Sequence, residues 1–151
     1  MPASEGRRRL RFFINSSLSS LAEQRLNAEL ADVVEQASHS VYLPQRELPL
    51  GTRASPAEIL EANSAAVRAS DAVLVVLDKP GLGVAFELGV AFAVKKRIVL
   101  FRTDTQDYLG KILEGLWQSH ERDLRATSVE ELRVVLSRLS SWSTRELEVV
   151  E

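Results

Sequence analysis

Asp71-Ala72-Val73-Leu74-Val75-Val76-Leu77-Asp78-Lys79-Pro80-Gly81-Leu82-Gly83 contains six consecutive apolar residues without polar alternation. A strand with one face in water alternates polar and apolar side chains, so a run apolar on both faces belongs inside a parallel sheet covered by helices on each side. Asp78 to Gly83 then forms the turn beyond the strand's carboxyl end, and a small, apolar helix is expected from about Val84 to Val94. Arg97 to Phe101 reads as the next strand, which completes a strand–helix–strand unit.

Working outward, the same alternation of short apolar runs and helical periods recurs. Leu10 to Asn15 is the expected first strand, followed by a serine-rich turn, Ser16 to Ser20. Leu21, Leu26, Leu30, Val33 and Val34 then mark one face of a long helix ending near Ala37. A second strand, Val41 to Leu43, stops at Pro44, and Gln45 to Arg53, with Pro49 and Gly51, reads as an irregular loop beside a site. Ser55-Pro56-Ala57-Glu58 has the form of a helix start, with a serine cap, proline at the first helical position and glutamate closing a capping box. Two tail helices are expected, about Asp107 to Trp117 and about 128–141, the latter capped by Ser128 with Glu131 at the box position.

The fold class is therefore α/β: a single-domain, doubly wound, flavodoxin- or Rossmann-like sandwich with four or five parallel strands over residues 1–151, its core spanning about 10–118. Ligands in such folds sit beyond the carboxyl ends of the strands. That narrows the search to the turns Ser16 to Ser20, Gln45 to Arg53, Asp78 to Gly83 and Arg102 to Gln106.

Composition excludes several classes. The chain has 151 residues, 45% of them hydrophobic, enough for one sizeable core. It has no cysteine, hence neither disulfide framework nor thiolate metal site, and the cytoplasm is the expected location. Leu10 to Ile14 is too short for a signal core or membrane span, so neither a targeting segment nor a membrane partner is expected. Net charge is −2, from 19 basic and 21 acidic residues, which does not suggest a nucleic-acid partner. Arg7, Arg8, Arg9 and Arg11 could touch phosphate, but a solvated strand flank is the commoner meaning of such a cluster. His39 and His120 are isolated from other ligand-type residues and read as surface positions, so neither a metal site nor a cofactor is expected.

Glu87 is the informative residue. It lies within Val84-Ala85-Phe86-Glu87-Leu88-Gly89-Val90-Ala91-Phe92-Ala93, where a charge is costly unless it has a partner or a function. Near a helix start its ionised form is favoured, the form a nucleophile needs. The plainer alternative is a carboxylate that complements the helix dipole. Gly81 and Gly83 allow a ligand to approach the backbone closely.

The stretches Asp71 to Asp78, Pro80 to Ala93 and Lys96 to Asp104 resemble the nucleoside 2-deoxyribosyltransferase family, including the deoxynucleoside 5′-monophosphate N-glycosidases. Val41-Tyr42-Leu43-Pro44-Gln45-Arg46-Glu47 is similar to the second-strand segment of many members, and the likeness spans roughly 10–115. The resemblance implies that Glu87 attacks the anomeric carbon of a nucleoside or nucleotide, giving a glycosyl-enzyme resolved by water or by another base. It also implies a homodimer or higher homo-oligomer, to which Trp117, Trp142 and Tyr108 are candidates to contribute, if they do not complete the core.

The sequence departs from the family at several positions. Asn63 stands where an aspartate usually protonates or orients the leaving base, and an amide delivers no proton. Phe12 matches a strand aromatic that usually carries a hydroxyl, and Leu18, Gly81 and Gly110 fall where phosphate-binding side chains are found. Asn15, Ser16, Ser17 and the glycine turn remain for substrate, with Gln45 and Arg46 as readers of base or sugar. Asp78, Glu47, Glu58 and Glu61 are possible replacement acids, although Asp78 also fits a turn-forming role, and Asp71 a structural one. Two functions follow: an N-glycosyltransferase or N-glycosidase using Glu87 and Asn63, or a nucleoside- or nucleotide-binding sensor module that has lost efficient turnover. A flavodoxin-like redox or receiver domain lacks both a flavin phosphate loop and an acid cluster.

Overall fold

The computed structural model describes residues 8–48 and 53–139. Five strands, β1 (Arg11–Asn15), β2 (Ser40–Tyr42), β3 (Ala72–Val76), β4 (Arg97–Phe101) and β5 (Arg125–Ala126), form one sheet in the order β2-β1-β3-β4-β5. Every neighbouring pair is parallel. The helices are α1 (Leu21–Gln36), α2 (Pro44–Glu47), α3 (Pro56–Ala69), α4 (Leu82–Ala93), α5 (Lys111–Ser119) and α6 (Val129–Leu139). From β1 the chain moves outward to β2, and from β3 it moves outward the other way. The connections leaving the carboxyl ends of β1 and β3 therefore diverge, and a crevice opens between them.

The pleat divides the core into two layers. Phe12, Ile14, Leu74, Val76, Val99 and Phe101 face Leu30 and Val34 of α1 and Leu132 and Leu136 of α6. Phe13, Val73, Val75, Ile98 and Leu100 face Val67 of α3 and Val84, Leu88 and Ala91 of α4. All of β3 is buried, as its unbroken apolar run requires. Each such side chain removed from water contributes about 1.5–3 kcal/mol.

Local chemistry sets the boundaries. Ser20 and Ser55 each accept from the backbone of the glutamate three residues on, Glu23 and Glu58, which bonds back to close a capping box. Ser128 Oγ accepts the Glu131 N–H at 3.1 Å. Asp71 accepts the Arg11 N–H at 2.8 Å and lies 3.8 and 3.7 Å from the guanidinium groups of Arg8 and Arg11.

The structure also corrects parts of the sequence reading. The segment after Pro44 is a helical turn rather than irregular loop, because proline opens α2 at its first position. α5 begins at Lys111 rather than Asp107, since Gly110 at φ 85° interrupts the helix there. His39 is 3% exposed, not a surface residue; its Nδ1 accepts the Leu10 N–H at 3.0 Å. His120 is partly buried and its Nε2 lies 2.6 Å from the Ile98 carbonyl oxygen. Tyr108 is exposed, whereas Trp117 packs on the core beneath the guanidinium groups of Arg102 and Arg125. Trp142 and the last residues of the expected tail helix lie outside the described residues. Among the described residues no helix is long and apolar enough to cross a membrane, and no three metal-ligating side chains converge.

Candidate active site

A cleft of about 420 Å³ lies at the crevice between the ends of β1 and β3. The turn after β1 supplies Asn15, Ser16, Ser17, Leu18 and Ser19, while Pro44 and Asn63 come from α2 and α3. Gly81, Gly83, Val84 and Glu87 complete the wall. Two bonds fix the start of α4 to β1: Asn15 Nδ2 donates to the Val84 carbonyl at 2.9 Å, and the Gly81 N–H donates to Ser17 Oγ at 3.0 Å. Gly81 has an ordinary φ of −76°, and a Cβ there would meet Ser17 Oγ at 3.5 Å, an unstrained contact. The backbone does not demand glycine at this position. Its lack of a side chain leaves the cleft floor open.

Glu87 is half-buried, and Asn63 Nδ2 donates to its Oε1 at 3.3 Å. Burial pushes the Glu87 carboxyl above the usual carboxylate range, and the Asn63 hydrogen bond partly offsets the rise. α4 starts two residues earlier than the sequence pattern suggests, so Glu87 lies in its second turn and no acidic residue occupies the first. The helix-end effect fades beyond the first turn, and desolvation prevails. Asn63 is itself buried, and its Oδ1 has no hydrogen-bond partner.

Several other candidates lie elsewhere. Phe12 is buried in the layer facing α1 and α6, against the His39 ring, whereas Glu87 rises from the helix on the opposite layer. Gln45 accepts from Asn27 Nδ2 at 3.1 Å and donates to the Gln24 carbonyl at 2.9 Å. Arg46 pairs with Glu35 at 2.6 Å and Asp32 at 3.5 Å. Both side chains are thus tied to α1 and do not line the cleft. Asp78 accepts the Thr103 N–H at 2.8 Å, its hydroxyl at 2.7 Å and the Asp104 N–H at 3.3 Å, joining the turns after β3 and β4. Glu58 is committed to its capping box, and neither Glu47 nor Glu61 lines the cleft.

The sequence reading passed over Tyr42. Its ring stacks on Phe13 with centroids 5.5 Å apart, on the Glu87 side of the sheet. Burial and the charges of Glu47 and Glu87 push its hydroxyl above its usual range. Strand alternation carried the signal, because Tyr42 is in register with Phe13.

A larger groove, about 530 Å³, is lined by Phe92, Lys95, Lys96, Arg97 and His120 near the amino end of β4. Lys96 Nζ donates to the carbonyls of Arg68 and Ser70, both at 2.7 Å. Its one carboxylate, Glu121, is exposed, and the groove lies away from the strand ends where this fold places ligands.

A family model for nucleoside 2-deoxyribosyltransferases matches residues 15–137. A conserved protein from Enterococcus faecalis V583 superposes with a TM-score of 0.71 at 26% identity, covering 87% of this chain and 99% of its own. A 2-deoxyribosyltransferase from Bacillus psychrosaccharolyticus gives 0.65 at 14% identity, covering 91% and 95%. A CMP N-glycosidase from Clostridium botulinum gives 0.57 at 20% identity, covering 82% and 93%. None of the curated proteins resembles the sequence closely enough to count as a match.

Proposed function

We propose, from the premise that this chain belongs to the nucleoside 2-deoxyribosyltransferase family, that it breaks the N-glycosidic bond of a nucleoside or nucleotide through a covalent glycosyl–Glu87 intermediate. The observation that carries this reading is Glu87 itself, a half-buried carboxylate in the cleft at the sheet's switch point, held by Asn63. The carboxylate attacks C1′ as the C1′–N bond breaks and the base takes the bonding pair. Water or a second base then attacks C1′ and returns Glu87 to the carboxylate. Asn15, Ser16, Ser17, Gly81 and Gly83 line the space for the sugar and its substituents.

The test is incubation with nucleosides and nucleotides, with and without a second free base, followed by chromatography of the bases. Release or exchange should fall on the order of 10³-fold or more in Glu87→Ala, as for removal of a covalent nucleophile. Activity that survives this substitution would sink the mechanism.

Asn63 favours a second reading, a nucleoside- or nucleotide-binding module with little turnover, because an amide is no general acid. A ligand that raises Tm without being consumed would select it. Two further expectations accompany either reading. The cysteine-free composition supports a cytoplasmic location. A homo-oligomer is supported by the exposed side chains of Leu82, Phe86 and Phe92 on α4 and Ile112 on α5.

A further inference from the structure

Breaking an N-glycosidic bond asks two things of a site: a nucleophile at C1′ and a way for the base to accept the bonding electron pair. A neutral nucleobase accepts that pair readily only with a proton supplied by an acid within hydrogen-bond reach. The cleft provides the first without the second. Among the described residues lining it, Glu87 is the one side chain that ionises, and neither lysine nor arginine is present.

Two neighbours of Glu87 remain as proton sources. Tyr42 lies on the Glu87 side of the sheet, but its ring is stacked on Phe13 and does not line the cleft, so it does not face a departing base. Asn63 holds the carboxylate with Nδ2, and its buried Oδ1 has no partner. A side-chain amide has no proton to release, and its oxygen only accepts.

We propose that this site acts on N-glycosides whose leaving group is already cationic, a pyridinium or an N-alkylated purinium, which departs as a neutral heterocycle without a proton from the protein. The inference rests on the N-glycosidic reading above. One Oε of Glu87 bonds to C1′ while the C1′–N bond breaks; its electron pair returns to the ring and cancels the positive charge. Water then bonds to C1′, the ester C–O bond breaks, Glu87 regains its carboxylate and one proton passes to solvent. The lone carboxylate complements the substrate's charge, and Asn63 Oδ1 accepts from a sugar hydroxyl or a carboxamide N–H.

The experiment compares kcat/KM of the full chain on the pyridinium nucleosides of nicotinamide, with ribose and 2-deoxyribose, against adenosine, deoxyadenosine and deoxycytidine. The wild type should favour the cationic substrates by at least ~10²-fold, the lower end of what a general acid contributes. Asn63→Asp places a second carboxylate beside Glu87, where two close carboxyls cannot both ionise. In that variant turnover of the neutral nucleosides should rise by ~10²–10⁴-fold and fall again at alkaline pH. If the variant does not fold, the wild-type pH profile on the nicotinamide nucleoside decides: a single rising limb supports the proposal, and a bell overturns it. Neutral nucleosides cleaved within tenfold of the cationic ones, with all activity lost in Glu87→Ala, would overturn the leaving-group inference and leave Glu87 as nucleophile. No turnover of either class, or turnover that survives Glu87→Ala, would instead sink the N-glycosidic reading.

Discussion

At the scale of single residues, His39 and Glu87 give the molecule opposite responses to pH. His39 accepts the Leu10 N–H through Nδ1, which fixes the ring as neutral, and its Nε2 is buried without a partner. Burial lowers its pKa from the ordinary value of about 6.5. Below about pH 6.5 the unfolded chain takes up a proton at this site that the folded chain refuses, so stability drains away as pH falls toward the lowered folded value. Above pH 6.5 the group contributes no slope. Glu87 does the reverse, because its raised folded pKa makes stability recover as pH falls through it. His39→Asn keeps an acceptor for Leu10 while removing the titration, so the difference in urea midpoint between wild type and variant isolates the histidine. That difference should shift in the variant's favour on going from pH 7.5 to 5.5, and a pH-independent difference would refute the assignment. Glu87 stood out in the sequence as a charge among apolar neighbours, whereas Asn63 was singled out only through the family resemblance, and the structure brings the two side chains together. The inward turn of Gln45 and Arg46 toward α1 was not, because loop polarity does not say which way a side chain is drawn.

At the scale of elements, long periodic segments announced themselves and short ones did not. α1, α3 and β3 follow from caps and apolar period. β5 has two residues and α2 four, too few for a pattern to stand out. The turn after β4, expected among the site turns, does not line the cleft, and its organiser lies beneath it. Arg102 is 1% exposed and donates to the carbonyls of Asp104 and Asp107 and to both carboxylate oxygens of Glu114, at 2.7 and 3.1 Å. One planar fork thus ties the loop to the first turn of α5, and Asp78 ties the same loop to the turn preceding the cleft. Lysine keeps the charge but not the fork. Arg102→Lys should therefore cost roughly 1–3 kcal/mol in urea unfolding, the scale of buried donors and acceptors left unpaired. Because Asp78 passes any shift of this loop to the glycine turn, KM should rise more than kcat falls. A variant as stable as wild type would show that the fork contributes nothing.

At the scale of the whole molecule, the surface beside the cleft is not finished as a surface. Leu82 is 92% exposed, Ile112 84% and Phe92 66%, and Ala85, Gly89, Phe92, Ile112 and Leu113 line a groove of about 380 Å³ between α4 and α5. Knobs and groove occupy the same patch, and Gly89 adds no bulk to it. Such a patch suits a second copy about a two-fold axis, each protomer inserting what the other lacks. The patch runs along α4 to Leu82 and Phe86, which flank Gly81, Gly83 and Glu87, so a partner seated there also shields the cleft. Phe92→Glu and Ile112→Glu place charges at exposed positions, where a substitution shifts the isolated fold by only about 0.5 kcal/mol either way. Sedimentation velocity at micromolar concentration should show the wild type as a dimer or larger and the double variant as a monomer that melts cooperatively. Covering the cleft withdraws water from Glu87, so the acid limb of turnover should lie at higher pH in the assembled wild type than in the monomeric variant. A wild type that sediments as a monomer would remove the interface, and coincident acid limbs would separate it from the chemistry of the cleft.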